Sequence, residues 1–591
     1  MVVLGIADHV NSGAAIVIDG IVAAAVNEER LVRKKMVFGV PRRSIAMVME
    51  LAKIRPEDID VVAVATVNGH LINEYIEFRG WFDLKRSTIK QVFFAVGSRV
   101  SRFRKRMPLL EKLYYKLREP AFAHRRRALK KIFADEFGIR APTHFIDHHY
   151  AHACSAYFSS GFDDALVVTM DGGGDGVSSQ IYGASAGRLE KLHQVSSFNS
   201  LGNYYAYVTH ICGFKAGKHE GKITGLAAYG EPRYQGLLND LITFEAGTIV
   251  NKGQLFYESA LEGIEQRLPT GWKREDLAAS IQQHAEDLVH KYVGHWRENT
   301  GKRHIALAGG LFANVRINQV VHELDGVESV FIHPGMTDEG LPTGAALALN
   351  AQLAPDRSRV PRRCFEHVYL GPSFEDEGMV AALERAGVRY ERHANIEEKI
   401  AELLAQGYVV ARFAGAMEYG PRALGNRSIL YTPSDPSVND WLNKNLRRTE
   451  FMPFAPSVLA EELHRCFHGV AGAEDTSRFM TITFKCTPWM QRECRGVVHI
   501  DGTARPQTVS ERDNPAYYKI IERFRAKTGL PCIVNTSFNI HEEPIVCTPE
   551  DAVRAFQIGH LDCLAIGPFV AVNEEAVQRH QERRARAAVA N

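Results

Sequence analysis

Two histidines, His148 and His152, stand four residues apart in the stretch Asp147-His148-His149-Tyr150-Ala151-His152-Ala153. On a helix that spacing puts both imidazoles on one face, a turn apart, so one metal ion can take a nitrogen from each. The blander alternative is a partly buried polar face that holds nothing. Oxygen donors follow downstream. The run Asp171-Gly172-Gly173-Gly174-Asp175-Gly176 comes after the apolar stretch Ala165 to Met170, and Thr337-Asp338-Glu339-Gly340 comes after Ser329 to His333. Each run places a carboxylate at the carboxyl end of a strand. Together with the histidines they supply two nitrogen and two oxygen ligands.

A second chemistry is anion binding. Arg422 and Arg427 lie in the Gly-rich run 415–428, and guanidinium groups bind phosphate oxygens in pairs. Lys444, Arg448 and Arg505 follow on later loops, and the strand Cys532 to Val534 ends in Asn535-Thr536-Ser537-Phe538-Asn539. Arg422, Lys444, Arg448 and Arg505 read as one anion site spread over four loops. The loop Gly5 to Gly13, which contains His9 and Ser12, has small residues whose backbone N–H groups can face an anion. Gly309-Gly310, ahead of a helix bearing Asn314 and Asn318, lets backbone approach a flat ligand closely. The stretch from Gly202 to Gly230, with Lys218-His219-Glu220-Gly221-Lys222 at its centre, reads as a substrate loop.

These groups need elements to hold them. Thr143 to Ile146 reads as a strand that delivers the histidine pair, and an Ala-rich helix carries it to Ser160, stopped by Gly161. Val2 to Ile6, Ala14 to Ile18 and Ile21 to Ala25 are three short strands, the last two joined by Asp19-Gly20, a strong hairpin signal. The same order of strand, Asp/Gly loop, strand, turn and strand recurs over Leu166 to Leu192, so the first part of the chain is internally duplicated. Two facing hairpins of this kind can clamp a phosphate chain, with Ser12, Gly172 and Gly173 in contact. A helix Ala345 to Leu353 closes the first unit and Pro355 to Pro361 forms the linker. The helix Ile396 to Ala405 and the strand Tyr408 to Phe413 open the second, and the tail from Glu574 is a basic, solvated helix. The expected class is α/β, in two units spanning 1–355 and 356–591.

At 591 residues one core does not suffice, and 45% hydrophobic with 24% charged residues is ordinary for a globular chain. The first twenty residues carry Asp8, His9, Asn11 and Asp19, so no signal peptide is expected, and no apolar run is long enough to span a membrane. Nine cysteines without a C-x-x-C pair point to a reducing, cytoplasmic location and exclude a zinc knuckle. Lys85 to Lys131 holds 16 Lys or Arg against Glu111 and Glu119, a net +14 in a chain of net +2, so the remainder carries −12. This basic segment reads as a solvated helical hairpin or as a surface for an anionic acceptor or membrane face. No nucleic-acid partner is expected.

Taken together the motifs resemble the NodU/CmcH-type O-carbamoyltransferases over nearly the whole chain. His148-His149-x-x-His152-Ala153, the Asp171–Gly176 run, His219-Glu220-Gly221-Lys222-x-x-Gly225 through Gly230, Glu418 through Ser428, Asp501 through Gln507 and Asn535 through Asn539 occur in the family's order. The resemblance implies a duplicated actin-like ATPase (ASKHA) domain related to the tRNA threonylcarbamoyl-transfer enzymes, followed by a YrdC-like α/β domain. The second domain would form carbamoyl-adenylate from carbamoyl phosphate and ATP, with Mg2+ on the nucleotide. The first would pass the carbamoyl group to a hydroxyl of a small-molecule, sugar or natural-product acceptor while holding an iron-type divalent metal, Fe2+, with AMP leaving.

The resemblance places His148, His152, Asp171 and Asp338 on the metal. It places Arg422, Lys444, Arg448, Arg505, Asn535 and Ser537 on or near the activation site, and His9 at the base. A homodimer is a further expectation. Some positions differ: this chain has His9-Val10-Asn11-Ser12 where many members read His-Asp-Ala-Ser, and Leu446 and Met452 where many carry Lys and Arg. Lys85 to Lys131 matches no family motif, which ties it to this protein's own acceptor. Two rivals are an actin-like-fold sugar kinase, which would release ADP, and a nucleotide-regulated scaffold, which would consume no carbamoyl phosphate.

Overall fold

Strand β1 (Val2–Ala7) pairs antiparallel with β2 (Gly13–Ile18), which pairs antiparallel with β3 (Ile21–Asn27). The β2–β3 turn holds Asp19 at φ 50° and Gly20 at φ 83°, the two left-handed residues a tight hairpin of this twist requires. On its other side β1 runs parallel to β4 (Val61–Ala65), and β4 parallel to β5 (Thr143–Ile146), giving the order β3-β2-β1-β4-β5. A second sheet repeats this in order and direction. It consists of β6 (Asp164–Gly174), β7 (Val177–Ser185), β8 (Arg188–Ser196), β9 (His304–Ala308) and β10 (Ser329–Ile332), arranged β8-β7-β6-β9-β10. The expected duplication is therefore present strand for strand.

In this computed structural model the described residues are 1–82, 107–437, 442–443, 454–579 and 581–582. Lys444, Leu446, Arg448, Met452 and the first part of the basic segment lie outside them. After the fifth strand of each sheet comes a helix, α2 (His148–Phe158) in the first half and α3 (Leu341–Leu353) in the second. These helices are made of small and apolar residues because they pack against each other in the middle of the unit. Gly344 marks the contact: a Cβ there would come within 2.0 Å of the Ala151 carbonyl oxygen.

The register also sets up an equivalence. Ile6 pairs with Val64 in the first sheet and Thr169 with Ala308 in the second, so Asp8 and Asp171, each two residues further on, occupy the same place in the two halves.

The described part of the basic segment is a single helix, α1 (Met107–Phe137), and it is not simply solvated. Arg118, Phe122, Arg125, Leu129 and Phe133 are buried, three or four residues apart, on one stripe. Lys116, Arg127, Lys130 and Lys131 face outward. The charge count hid an amphipathic helix.

The chain divides into two compact units, 1–29 with 36–365 and 30–35 with 366–591. The second is built on a mixed sheet of β11 (Glu391–Arg392), β12 (Val410–Phe413), β13 (Arg427–Tyr431), β14 (Ala455–Leu459), β15 (Gln507–Val509), β16 (Cys532–Ser537), β17 (Cys563–Ile566) and β18 (Phe569–Val572), in the order β11-β18-β17-β12-β13-β16-β14-β15. Among the described residues no helix is long and apolar enough to cross a membrane.

Candidate functional site

The four ligating side chains predicted for the metal come together. One donor atom from each of His148, His152, Asp171 and Asp338 lies within 4.8 Å of all the others. The duplication explains how. His148 and Asp338 stand at or just before the starts of the equivalent helices α2 and α3, and Asp171 follows the paired part of the central strand of the second sheet.

His148 Nε2 lies 2.8 Å from Asp171 Oδ2 and 3.7 Å from Asp338 Oδ1, while His152 Nε2 lies 3.4 Å from Asp338 Oδ1 and 3.8 Å from Asp171 Oδ2. Both nitrogens of His152 are buried without a hydrogen-bond partner among the described residues. A buried imidazole left unpaired beside two carboxylates fits a cation, and two nitrogens with two oxygens fit a divalent one.

The charges agree. Burial alone would lower the His148 pKa, but the Asp171 carboxylate overrides it and pushes it up to about 10. Burial lowers His152, helped by the neighbouring His148 and opposed by Asp338. Burial would raise Asp171, yet His149 and His148 hold it well below the usual carboxylate range.

Behind the ligands is a layer the sequence did not reveal. Thr66 Oγ1 sits 3.2 Å from His148 Nδ1, on a β-branched residue held at φ 72°. His149, between the two ligands, is occupied: its Nδ1 is 2.8 Å from Thr169 Oγ1 and its Nε2 donates to the Val177 carbonyl at 2.9 Å.

The two aspartates of the Gly-rich run divide the work. Asp171 faces the cluster, whereas Asp175 accepts backbone N–H groups from Val67 at 3.0 Å, Asn68 at 2.7 Å and His148 at 3.0 Å, fixing the start of α2. Gly174 between them is bare because a Cβ would lie 2.2 Å from the His148 ring.

The other glycines have reasons of their own. A Cβ on Gly172 would meet Trp81 at 2.8 Å, on Gly173 the Ser197 hydroxyl at 2.8 Å, and on Gly309, which is also at φ 111°, the Met170 carbonyl oxygen at 2.3 Å. Gly310 approaches only Asp171 Cβ, at 3.8 Å. These close approaches are to protein. Ser12 gives its backbone N–H to the Val37 carbonyl at 3.1 Å, so that N–H is not open to an anion, but its buried hydroxyl has no partner among the described residues. The Asn314 side chain caps the helix Val315–His322, accepting from the N–H groups of Arg316 and Ile317. His9 Nδ1 is 3.1 Å from Asp8 Oδ1, and the ring remains partly exposed.

In the second unit the strand registers bring the predicted anion loops to one end of the sheet. Phe413 pairs with Arg427, Ser428 with Ser537, Asn535 with Ala455, and Ser457 with Gln507. The loop holding Arg422, the chain after Ser537 and the chain carrying Arg505 into β15 therefore emerge together. Arg422 and Arg505 are half-buried there.

Arg427, the other arginine of the first loop, is structural. It is fully buried over the Phe413 ring at 3.8 Å and donates to the carbonyls of Ala414, Asn426, Gly415 and Pro372. Buried Glu418 gathers the same loop by accepting from the N–H groups of Leu424, Asn426 and Arg427 at 2.9, 2.8 and 3.0 Å. The Asn535 amide N–H₂ is spent on the Ala423 carbonyl, Ser457 and Gln507, while Ser537 Oγ donates to Asn539 Oδ1 at 2.8 Å.

A family description for the carbamoyltransferase N-terminus matches residues 2–347, and one for the carbamoyltransferase C-terminus matches 401–573. The chain is 33% identical over 579 residues to the nodulation protein NolNO of Sinorhizobium fredii, covering 95% of this chain and 78% of that protein. It is 34% identical over 438 residues to the nodulation protein NolO of Bradyrhizobium diazoefficiens, covering 72% and 78%. Among solved structures, the Acidaminococcus fermentans (R)-2-hydroxyglutaryl-CoA dehydratase component A covers 59% of this chain and 96% of its own, at 15% identity and TM-score 0.33. A phosphate- and nucleotide-bound HypF covers 60% and 47%, at 13% identity and TM-score 0.32.

Proposed function

This chain belongs to the carbamoyltransferase family, and on that premise we propose that it is an ATP-dependent O-carbamoyltransferase whose activation step lies in the second unit and whose transfer step lies in the first. The observation that carries the reading is the His148–His152–Asp171–Asp338 cluster, with its unpaired buried His152. A sugar kinase has no use for it. In the activation step carbamoyl phosphate, ATP and water give carbamoyl-adenylate, pyrophosphate and phosphate, with Arg422 and Arg505 binding the anions and Lys444 and Arg448 completing the site. Asn535 and Ser537 shape the floor. The transfer step forms a bond from the acceptor oxygen to the carbamoyl carbon and breaks the bond to AMP, and His9 takes the hydroxyl proton. Its Nδ1 faces Asp8, so Nε2 is the atom that receives it.

A divalent ion held by the cluster, Fe2+ by the family analogy, would polarise the carbamoyl or phosphate oxygen. The family analogy puts the adenylate against Ser12, whose hydroxyl has no partner among the described residues, and against the backbone of Gly172, Gly173, Gly309 and Gly310. Carbamoyl phosphate and the adenylate both hydrolyse readily, which favours joining the two steps in one chain.

The test pairs two variants with two substrates. Arg505→Ala should fail with ATP and carbamoyl phosphate but transfer from synthetic carbamoyl-adenylate to a hydroxyl acceptor. His152→Ala should release pyrophosphate but form no carbamoylated product. The acceptor is sought by mass spectrometry across hydroxyl-bearing metabolites incubated with the native enzyme. If both folded variants lose both steps, the division of labour is wrong. ADP as the nucleotide product would restore the kinase reading.

A further inference from the structure

Arg125, in the middle of the basic helix α1, has no exposed surface at all. Its Nε donates to Asp8 Oδ2 at 2.9 Å and one terminal nitrogen to Asp8 Oδ1 at 2.5 Å, a forked pair. The other terminal nitrogen donates to the Thr66 carbonyl at 3.0 Å. Each partner leads to a different part of the transfer centre. Asp8 Oδ1 also faces His9 Nδ1 at 3.1 Å, and Thr66 Oγ1 faces His148 Nδ1 at 3.2 Å. Gly69 closes the arrangement: a Cβ there would lie 2.6 Å from His9 Cε1 and 3.0 Å from Arg125 Cζ, so imidazole and guanidinium rest against the same bare backbone.

We propose that Arg125 is a positioning residue that fixes the base His9 through Asp8 and the metal ligand His148 through Thr66, making the basic helix a working part of the transfer centre. The role assigned to His9 rests on the proposed function; the role toward His148 does not. A buried carboxylate without a cation tends to take up a proton, and a neutral Asp8 would accept from His9 Nδ1–H less strongly than the carboxylate does. Burial does push Asp8 upward, but Arg125 holds it well below the usual carboxylate range. The Asp8 carboxylate then keeps the proton of His9 on Nδ1 and leaves Nε2 as the acceptor.

The duplication supports this reading. Asp8 and Asp171 occupy the same register position, and Asp8 meets the Arg125 guanidinium there. In the second half the matching charge is to be an exchangeable ion; in the first it is built into the chain. Thr66 is held at φ 72°, which a β-branched residue does not adopt unaided, and the Arg125 bond to its carbonyl restrains that conformation.

The experiment uses the full chain, with Mn2+ as the metal probe and carbamoyl-adenylate plus glycerol as donor and hydroxyl. Arg125→Ala should slow formation of carbamoylated glycerol, read by mass spectrometry, about a hundredfold and weaken Mn2+ binding about tenfold, the usual effect of removing an outer partner of a ligand or base. Methylguanidinium in the medium should restore part of both. The double variant Asp8→Leu, Arg125→Met leaves no buried charge and should fold, with the same transfer defect and no rescue.

Native-like transfer and Mn2+ affinity in either folded variant overturns the proposal, as does recovery of the Arg125→Ala melting temperature by methylguanidinium without recovery of Mn2+ affinity. If Arg125→Ala does not fold, the double variant decides by the same criteria. If the native enzyme carbamoylates neither glycerol nor any of the hydroxyl-bearing metabolites, the proposed function fails, and the Mn2+ measurements still judge Arg125.

Discussion

Two aspartates four residues apart in one Gly-rich run should give opposite phenotypes. Asp175→Asn removes a negative charge that three backbone N–H groups share, while Asn still tolerates the left-handed φ of 51° found there. Hydrogen bonds to a charged group contribute about 1.5–3 kcal/mol each, but one carboxylate shared three ways is less than additive, and Asp175 is only half-buried. Asn keeps one acceptor oxygen, so a loss of about 3 kcal/mol is expected, lowering the melting temperature by about 4 °C in a unit of this size.

Asp171→Asn removes a proposed ligand and none of the backbone N–H bonds that Asp175 accepts. Its unfolding free energy in chelator should stay within about 1 kcal/mol of the native value, typical of a substitution that breaks no packing. Calorimetry in chelator measures the fold and elemental analysis after metal loading measures the site. Asp171→Asn should hold no metal while folded, and Asp175→Asn should be unstable even in chelator. Equal stability of the two variants in chelator would refute the assignment of ligand to one and scaffold to the other.

His152→Ala should keep its fold and lose bound metal, since three ligands hold a divalent ion much less tightly than four; metal content after dialysis checks this. The two arginines of the 415–428 loop should separate: Arg427→Lys, which cannot serve all four carbonyls, should lower the urea midpoint by about 3 kcal/mol equivalent, whereas Arg422→Ala should leave it unchanged and weaken carbamoyl phosphate binding in calorimetric titration. Burial pushes Glu220 from 4.5 up to about 7, so the folded protein holds that proton more tightly than the unfolded chain. The stability this gives is complete below pH 4.5 and is lost as the pH rises through about 7. The urea midpoint of the native protein should therefore fall relative to Glu220→Gln over that window, and parallel curves would exclude the effect.

Whatever is local or repeats can be read from the chain alone. The strand ends, the Asp19-Gly20 turn, the duplicated halves and the helical spacing of His148 and His152 follow from periodicity and turn chemistry, which a short window of chain records. The motif order fixed the family. Which polar residues do chemistry and which hold the scaffold was decided only by packing, because the same residue types serve both ends. Asp171 and Asp175 belong to one motif, yet only the β6–β7 hairpin turns one toward the cluster and the other back onto backbone N–H groups. Arg422 and Arg427 share a loop, and the pairing of β12 with β13 buries just the second. Thr66 carried no signal, since its part depends on a backbone angle and a neighbour 82 positions away. Arg125 was hidden among 16 basic residues in 85–131, and what sets it apart is a carboxylate 117 positions earlier that the chain must fold to reach.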